Sequence, residues 1–423
     1  MNYSQAMDFI SSFSRLGKKV SDLSRIAELL NHLDNPQNNL KFVHIAGTNG
    51  KGSTLELCSQ SFINAGYKTG QFTSPFMECY EDRIRINNEN IPRQKVADIC
   101  EKVKNAVTQR HYSQFEITFA IGLLYWVEEK CDIVFLETGL GGLLDATNII
   151  KNPLVTVITS ISFDHEAVLG NTIQKIARQK AGIIKENVPN ILSMGNYNES
   201  IKIVSETADY MHSELIIPKE SDLKVLHHDV SGSSFIYKNQ EYFVKMNGIH
   251  QVQNACTSIE CINQLNKKGF SVDYEDVKKA FSEVQIIGRT EIINKNPLVI
   301  LDGSHNFDGV NALFKVTSEL ESPVIAVLGI LERKDYEIIV EDIEGDFKTS
   351  SNICEVVCVD GFLEGNVEAE KLAEMFENIP AYAMNFKDGY EFALKKAADE
   401  NKSVVIFGSL YLVTEMKKYL RES

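Results

Sequence analysis

The chain has 423 residues, 43% of them hydrophobic and 24% charged, with a formal net charge of −15. That length carries two ordinary domains with cores of their own. The negative charge excludes a broad nucleic-acid footprint, and no apolar run approaches the roughly 20 residues of a membrane helix.

The N-terminus, MNYSQAMDFISS, lacks a basic segment followed by an apolar core, so no secretory signal is expected and the expected location is cytoplasmic. Residues 5–34 show a helical stripe through Phe9, Ile10, Phe13 and Leu16, then Leu23, Ile26, Leu29 and Leu30. The apolar run 40–46 predicts a buried strand that ends at a glycine-rich turn, with a helix opening near Lys51. Residues 116–130 predict a buried helix, 132–137 and 153–161 inner strands, and 171–185 a further helix. Alternating strand and helix signals predict parallel βαβ construction.

Residues 223–247 alternate polar and apolar around Gly232 and predict an antiparallel patch, followed by a helix from Gln251 to Leu265. A second α/β series follows, with strands expected at 298–302, 323–328, 353–359 and 403–407. The expected division is 1–287 and 288–423, with no internal repeat. The eight cysteines form no CxxC or paired zinc spacing, so reduced thiols are expected.

The strongest local signal is Gly47-Thr48-Asn49-Gly50-Lys51-Gly52-Ser53, directly after the first strand. A strand–glycine loop–helix turn aims backbone N–H groups and the positive end of a helix dipole at one point, which suits phosphate. Lys51 can neutralise phosphate charge and the Ser53 hydroxyl can ligate Mg²⁺. Glu137 ends the run DIVFLE, where open α/β sheets bind ligands, and a carboxylate there suits Mg²⁺. Asp164-His165 follow the next inner strand, where the histidine could bind a metal or contact phosphate. In the second half, Asp302-Gly303-Ser304-His305-Asn306 repeats the theme, and Arg289 could reach phosphates bidentately. Alone, Ser74 reads as a turn serine and Lys180 as a solvated helical lysine.

Together, HIAGTNGKGS at 44–53, FTSP at 72–75, LETGLGGLLDATN at 136–148, ITSISFDHEAVLG at 158–170, ARQKAGIIK at 177–185, GRTE at 288–291, LDGSHN at 301–306 and GSLYLV at 408–413 resemble the folylpolyglutamate synthase/dihydrofolate synthase family of the Mur-ligase superfamily. The resemblance implies an α/β fold: a P-loop Mur-ligase-like ATPase domain, then a smaller Rossmann-like C-terminal domain. It implies ATP, L-glutamate and a dihydropteroate or folate acid as small-molecule partners, two Mg²⁺ sites and a monomer, and neither nucleic acid nor membrane.

By position, it places ATP on Asn49, Gly50, Lys51, Gly52, Ser53, Asn254, Arg289, Asp302 and His305. It places magnesium on Ser53, Ser74, Glu137 and His165. Lys180 matches the lysine that becomes carboxylated in this family and would be a further metal ligand. Lys51, His165 and Lys180 are the expected catalytic residues. Ser113, Gln114, Phe115, Glu116 and Asp145 match positions that meet the pterin. Four positions depart from the family's usual residues: Phe76 for histidine, Leu143 for arginine, Gln179 for glutamate and Ile287 for tryptophan or proline. The expected reaction is ATP-driven ligation of glutamate through an acyl phosphate. A cell-wall Mur-type ligase acting on a UDP-sugar peptide is the alternative.

Overall fold

The computed structural model describes residues 1–14, 22–108, 111–332, 336–346 and 352–422. These form two compact units, one of residues 1–162, 166–223 and 253–282, the other of 163–165, 224–252 and 283–423.

The first unit holds a sheet built from β1 (Phe42–Ala46), β2 (Thr69–Phe72), β3 (Ile84–Ile86), β4 (Glu89–Asn90), β5 (Ile133–Glu137), β6 (Val155–Ile158), β7 (Asn190–Leu192) and β8 (Leu215–Ile216), in the order β4-β3-β2-β5-β1-β6-β7-β8. The pairs from β2 to β8 are parallel, while β3 and β4 join antiparallel at one edge. Every residue of β1, β5 and β6 is buried, so these strands carry continuous apolar runs rather than alternation. The chain leaves β1 for β2 by crossing β5, and leaves β5 for β6 by crossing β1. The strand order thus switches around β1, and its C-terminal end lies between those of β5 and β6.

A core cluster joins this sheet to the helices Tyr3–Ser11, Ser24–Asn31, Arg93–Ala106 and Gln114–Glu128. Trp126 is fully buried in it, meets Phe72 edge-on with ring centroids 6.0 Å apart, and donates its indole N–H to the Arg85 carbonyl at 3.1 Å. Trp126→Ala removes this packing and the indole hydrogen bond. It is expected to destabilise the protein by about 3–5 kcal/mol, read from the denaturant midpoint.

The single helical stretch expected over 5–34 is instead two helices, Tyr3–Ser11 and Ser24–Asn31, and Leu16 lies outside the described residues. Ser12 closes the first helix with its hydroxyl on the Phe9 carbonyl (2.7 Å), and Ser14 bridges to Ser113. Periodicity continued on both sides of this break because each helix buries its own stripe.

The second unit contains β9 (Leu223–Asp229), β10 (Gly232–Tyr237) and β11 (Gln240–Val244), with β10 and β11 antiparallel. It also contains β12 (Glu291–Lys295), β13 (Leu298–Leu301), β14 (Val324–Leu328), β15 (Ile353–Asp360), β16 (Ala381–Asn385) and β17 (Ser403–Phe407), in the order β12-β13-β17-β14-β15-β16. Among the described residues of this six-stranded sheet, only the β12–β13 pair is antiparallel. All eight cysteines are free thiols. No helix among the described residues is long and apolar enough to cross a membrane.

Candidate active site

In the first unit, the segments that follow β1, β2, β5 and β6 meet at the C-terminal edge of the sheet. The loop after β1 is tied to the residues after β6: Thr48 N–H donates to the Ser160 carbonyl (2.6 Å), and the Thr159 hydroxyl donates to the Asn49 carbonyl (2.7 Å). Gly50 stands at φ 85°, and a Cβ there would come within 2.5 Å of the Asn254 side-chain oxygen. Glycine therefore permits both the left-handed turn and the close approach of Asn254, which projects from the helix Ile249–Lys267. The helix Lys51–Asn64 opens on the next residue, and Ser53 is buried in its first turn.

Lys51 Nζ donates to the Thr48 carbonyl at 3.1 Å and lies 3.7 Å from Glu137 Oε1. The other Glu137 oxygen accepts the Ser74 N–H at 3.2 Å. Lys51, Ser74 and Glu137 thus meet at one sheet edge, although they are distant in sequence. Their donors for a metal are hydroxyl and carboxylate oxygens, the hard ligands Mg²⁺ takes.

The segment after Glu137 is anchored at Asp145, Thr147 and Asn148. Asp145 is buried. Its Oδ1 accepts the Thr147 N–H (3.0 Å) and hydroxyl (2.5 Å), and its Oδ2 accepts the Leu140 N–H (2.8 Å). Asn148 donates to the carbonyls of Leu143 (3.0 Å) and Gly182 (3.1 Å) and accepts Lys185 Nζ at 2.7 Å. Burial pushes the Lys185 amine down to about 8. A Cβ on Gly142 would meet the Gln179 carbonyl at 2.7 Å, so this loop lies directly on the helix Ile173–Ala181 that carries Lys180. Lys180 is only 2% exposed, against the ordinary expectation for a helical lysine.

Ser113 and Glu116 form a reciprocal capping box at the start of the helix Gln114–Glu128. Glu116 also holds Arg25 through Nη2 at 2.7 Å, while Gln114 donates to the Phe13 carbonyl at 2.8 Å. Phe115 packs against Phe72, centroids 5.6 Å apart, and closely over Gly139. Two departures from the family pattern are exposed: Phe76, with the Arg83 guanidinium 5.3 Å from its ring centroid, and Leu143.

In the second unit, Asp302 follows β13. Its oxygens accept the N–H groups of Thr290 (2.7 Å) and Ser304 (2.8 Å), and Arg289 sits beside Thr290, half-buried. His305 Nδ1–H donates to the Gly303 carbonyl at 2.7 Å, and its Nε2 stands 3.8 Å from Asp164 Oδ2. His165 is exposed, at φ 52°, with its Nε2 also 3.8 Å from Asp164 Oδ2.

Sequence reasoning missed His44, Thr147, Asn148 and Lys185. One signal was available: His44 is the only polar side chain in the run FVHIA, inside a fully buried strand.

A model of the Mur ligase middle domain matches residues 45–262, and one of the Mur ligase glutamate ligase domain matches residues 288–410. The dihydrofolate synthase/folylpolyglutamate synthase of Bacillus subtilis is 31% identical, covering 99% of both chains. The solved Mycobacterium tuberculosis folylpolyglutamate synthase complexed with ADP superposes with a TM-score of 0.86 at 26% identity, over 99% of this chain and 98% of that one. A solved FPGS–AMPPCP–folate complex gives a TM-score of 0.84 at 26% identity, over 99% of this chain and all of the other. With the phosphate loop, the acidic strand end and both domains matched in order, the chain belongs to the folylpolyglutamate synthase/dihydrofolate synthase family of Mur ligases.

Proposed function

We propose that this chain is an ATP-dependent ligase that joins L-glutamate to dihydropteroate and to the γ-carboxylate of reduced folates, giving dihydrofolate and folylpolyglutamates. The observation that carries this reading is the meeting of Lys51, Ser74 and Glu137 around the glycine loop. The relatives' names supply the substrate class, and the ADP, AMPPCP and folate complexes of solved neighbours support the nucleotide and the acid. In this reading residues 1–287 are the Mur-ligase-like ATP-binding domain and residues 288–423 the Rossmann-like ligase domain, which adds nucleotide contacts of its own.

The N–H groups of the loop 47–50 and the first turn of the following helix cradle the β- and γ-phosphates, while Lys51 balances their charge. Asn254, Arg289, Asp302 and His305 bind the rest of the nucleotide. Ser53, Ser74 and Glu137 hold Mg²⁺ through oxygen, with His165 and a carboxylated Lys180 as ligands of a second ion. When bound, the metal neutralises phosphate charge and orients the γ-phosphate for in-line transfer.

A substrate carboxylate oxygen attacks the γ-phosphorus, an O–P bond forms, and the bridging β–γ bond breaks to leave ADP. The glutamate amine then attacks the acyl carbon and expels inorganic phosphate. Phosphorylation is needed because a free carboxylate has no adequate leaving group. The protein acts as a monomer in the cytoplasm.

The test is ADP release with dihydropteroate and with tetrahydrofolate, each with and without glutamate and Mg²⁺. Turnover that requires acid, glutamate and metal together is expected. Release without the amino acid, or none with all three present, overturns the reading.

A further inference from the structure

We infer that His44 is a positioning residue: through the Thr147 hydroxyl it sets the Asp145 carboxylate and, with it, the loop that presents the pterin acid. This rests on the proposed reading of Asp145 as part of the substrate site.

His44 lies mid-way along β1, fully buried, three residues before the phosphate loop begins. Its Nε2 is 2.8 Å from Thr147 Oγ1, across 103 residues of sequence. Thr147 Oγ1 is in turn 2.5 Å from Asp145 Oδ1. The direction of this relay follows from proton counting. Asp145 Oδ1 already accepts the Thr147 N–H and Oδ2 the Leu140 N–H, so the carboxylate acts as the acceptor and the single Thr147 proton points at it. The Thr147 oxygen must then accept from His44, which fixes the imidazole as the Nε2–H tautomer. Nδ1 is left as a bare acceptor, and it has no hydrogen-bond partner among the described residues. Burial, and then Lys185, push the His44 imidazole down to about 3, so it stays a neutral donor.

A purely structural role does not call for a histidine here. A buried ring nitrogen without a partner costs stability that a leucine of similar size would not. What the histidine adds is one N–H at one place. That N–H occupies the Thr147 oxygen and commits the hydroxyl proton to Asp145. Burial pushes the Asp145 carboxyl up, and the donors from Thr147, Leu140 and Gly139 oppose it. Asp145 Oδ2 in turn takes the Leu140 N–H, and Asp145 N–H donates to the Gly142 carbonyl. The relay therefore fixes the backbone from Gly139 to Asp145, immediately after Glu137. Without the His44 donor the Thr147 hydroxyl can rotate and the loop loses its reference point.

The experiment compares His44→Leu, His44→Gln, Thr147→Val and the pair His44→Leu/Thr147→Val with the unaltered protein. His44→Leu and Thr147→Val should each raise KM for dihydropteroate and tetrahydrofolate roughly tenfold, the loss of one hydrogen bond's worth of order, with KM for ATP changed less than about twofold on the same argument. His44→Gln, whose amide N–H reaches the Nε2 position, should recover most of the affinity. The pair should be no worse than either single change, because both break one relay.

Equal rises in KM for ATP and acid, no rise in the isosteric Thr147→Val variant, or failure of glutamine to rescue a folded protein each overturns the inference. Imidazole ¹⁵N shifts of the labelled protein read the tautomer without any turnover. An Nδ1–H His44 sinks the relay even if the ligase reading stands. An Nε2–H His44 in a protein inactive with both pterin acids sinks the ligase reading and leaves the relay standing.

Discussion

Lys51→Met should lower kcat by about two to three orders of magnitude while the protein stays folded. The ammonium is poised rather than committed: it touches the Thr48 carbonyl and stands 3.7 Å from Glu137, in a setting where its side chain is 17% exposed. In the transfer step, negative charge spreads over the γ-phosphoryl oxygens, and a fixed cation in a partly dry site is worth far more there than in water. Removing it costs about 3–4 kcal/mol of transition-state stabilisation, which is the expected two to three decades in rate. Methionine keeps the length of the stem, so the first turn of the helix Lys51–Asn64 should survive. The checks are kcat from ADP release, ATP affinity by calorimetry and the thermal midpoint. Turnover above a tenth of the unaltered protein's would remove Lys51 from the mechanism. An affinity loss that accounts for the whole rate loss would assign it to binding alone.

The parts of this fold that were legible in the sequence are those whose signal is local. The inner strands read as unbroken apolar runs because both faces of β1, β5 and β6 are covered. The phosphate loop was legible because its glycines meet a conformational demand at the turn itself. The strand expected over 153–161 ends at Ile158 instead, because Thr159 and Ser160 leave the sheet to hold the loop at Asn49. That exchange is between segments about a hundred residues apart, and no local pattern announces it. The same holds for the His44–Thr147–Asp145 relay and for the Asn148–Lys185 contact. Lys180 is different, since its burial was readable. Ile173, Ile176, Ala177 and Lys180 fall at i, i+3, i+4 and i+7, so the lysine lies on the apolar stripe of its own helix. A helical lysine is ordinarily solvated, and here the apolar stripe outweighs that tendency.

That placement lets Lys180→Met separate a packing role from a chemical one. The side chain is 2% exposed, beside core residues including Ile176, Ala177 and Ile183. Methionine keeps the length of the stem and its apolar contacts, so the packing of the helix Ile173–Ala181 should survive the exchange. If the lysine served packing or an ion pair alone, activity would follow stability. If it carries a carbamate that ligates the second metal, kcat should instead fall by about two to three decades, the cost of losing a charge stabiliser at the acyl carbon. The carbamate also makes two demands that an ordinary lysine does not. Labelled bicarbonate should give a carbamate ¹³C signal that Lys180→Met lacks. A smaller variant, Lys180→Ala, should regain part of its turnover when formate or acetate supplies the missing carboxylate. A fully active Lys180→Met protein would end the metal-ligand role. An inactive one whose midpoint drops in step would return Lys180 to the core.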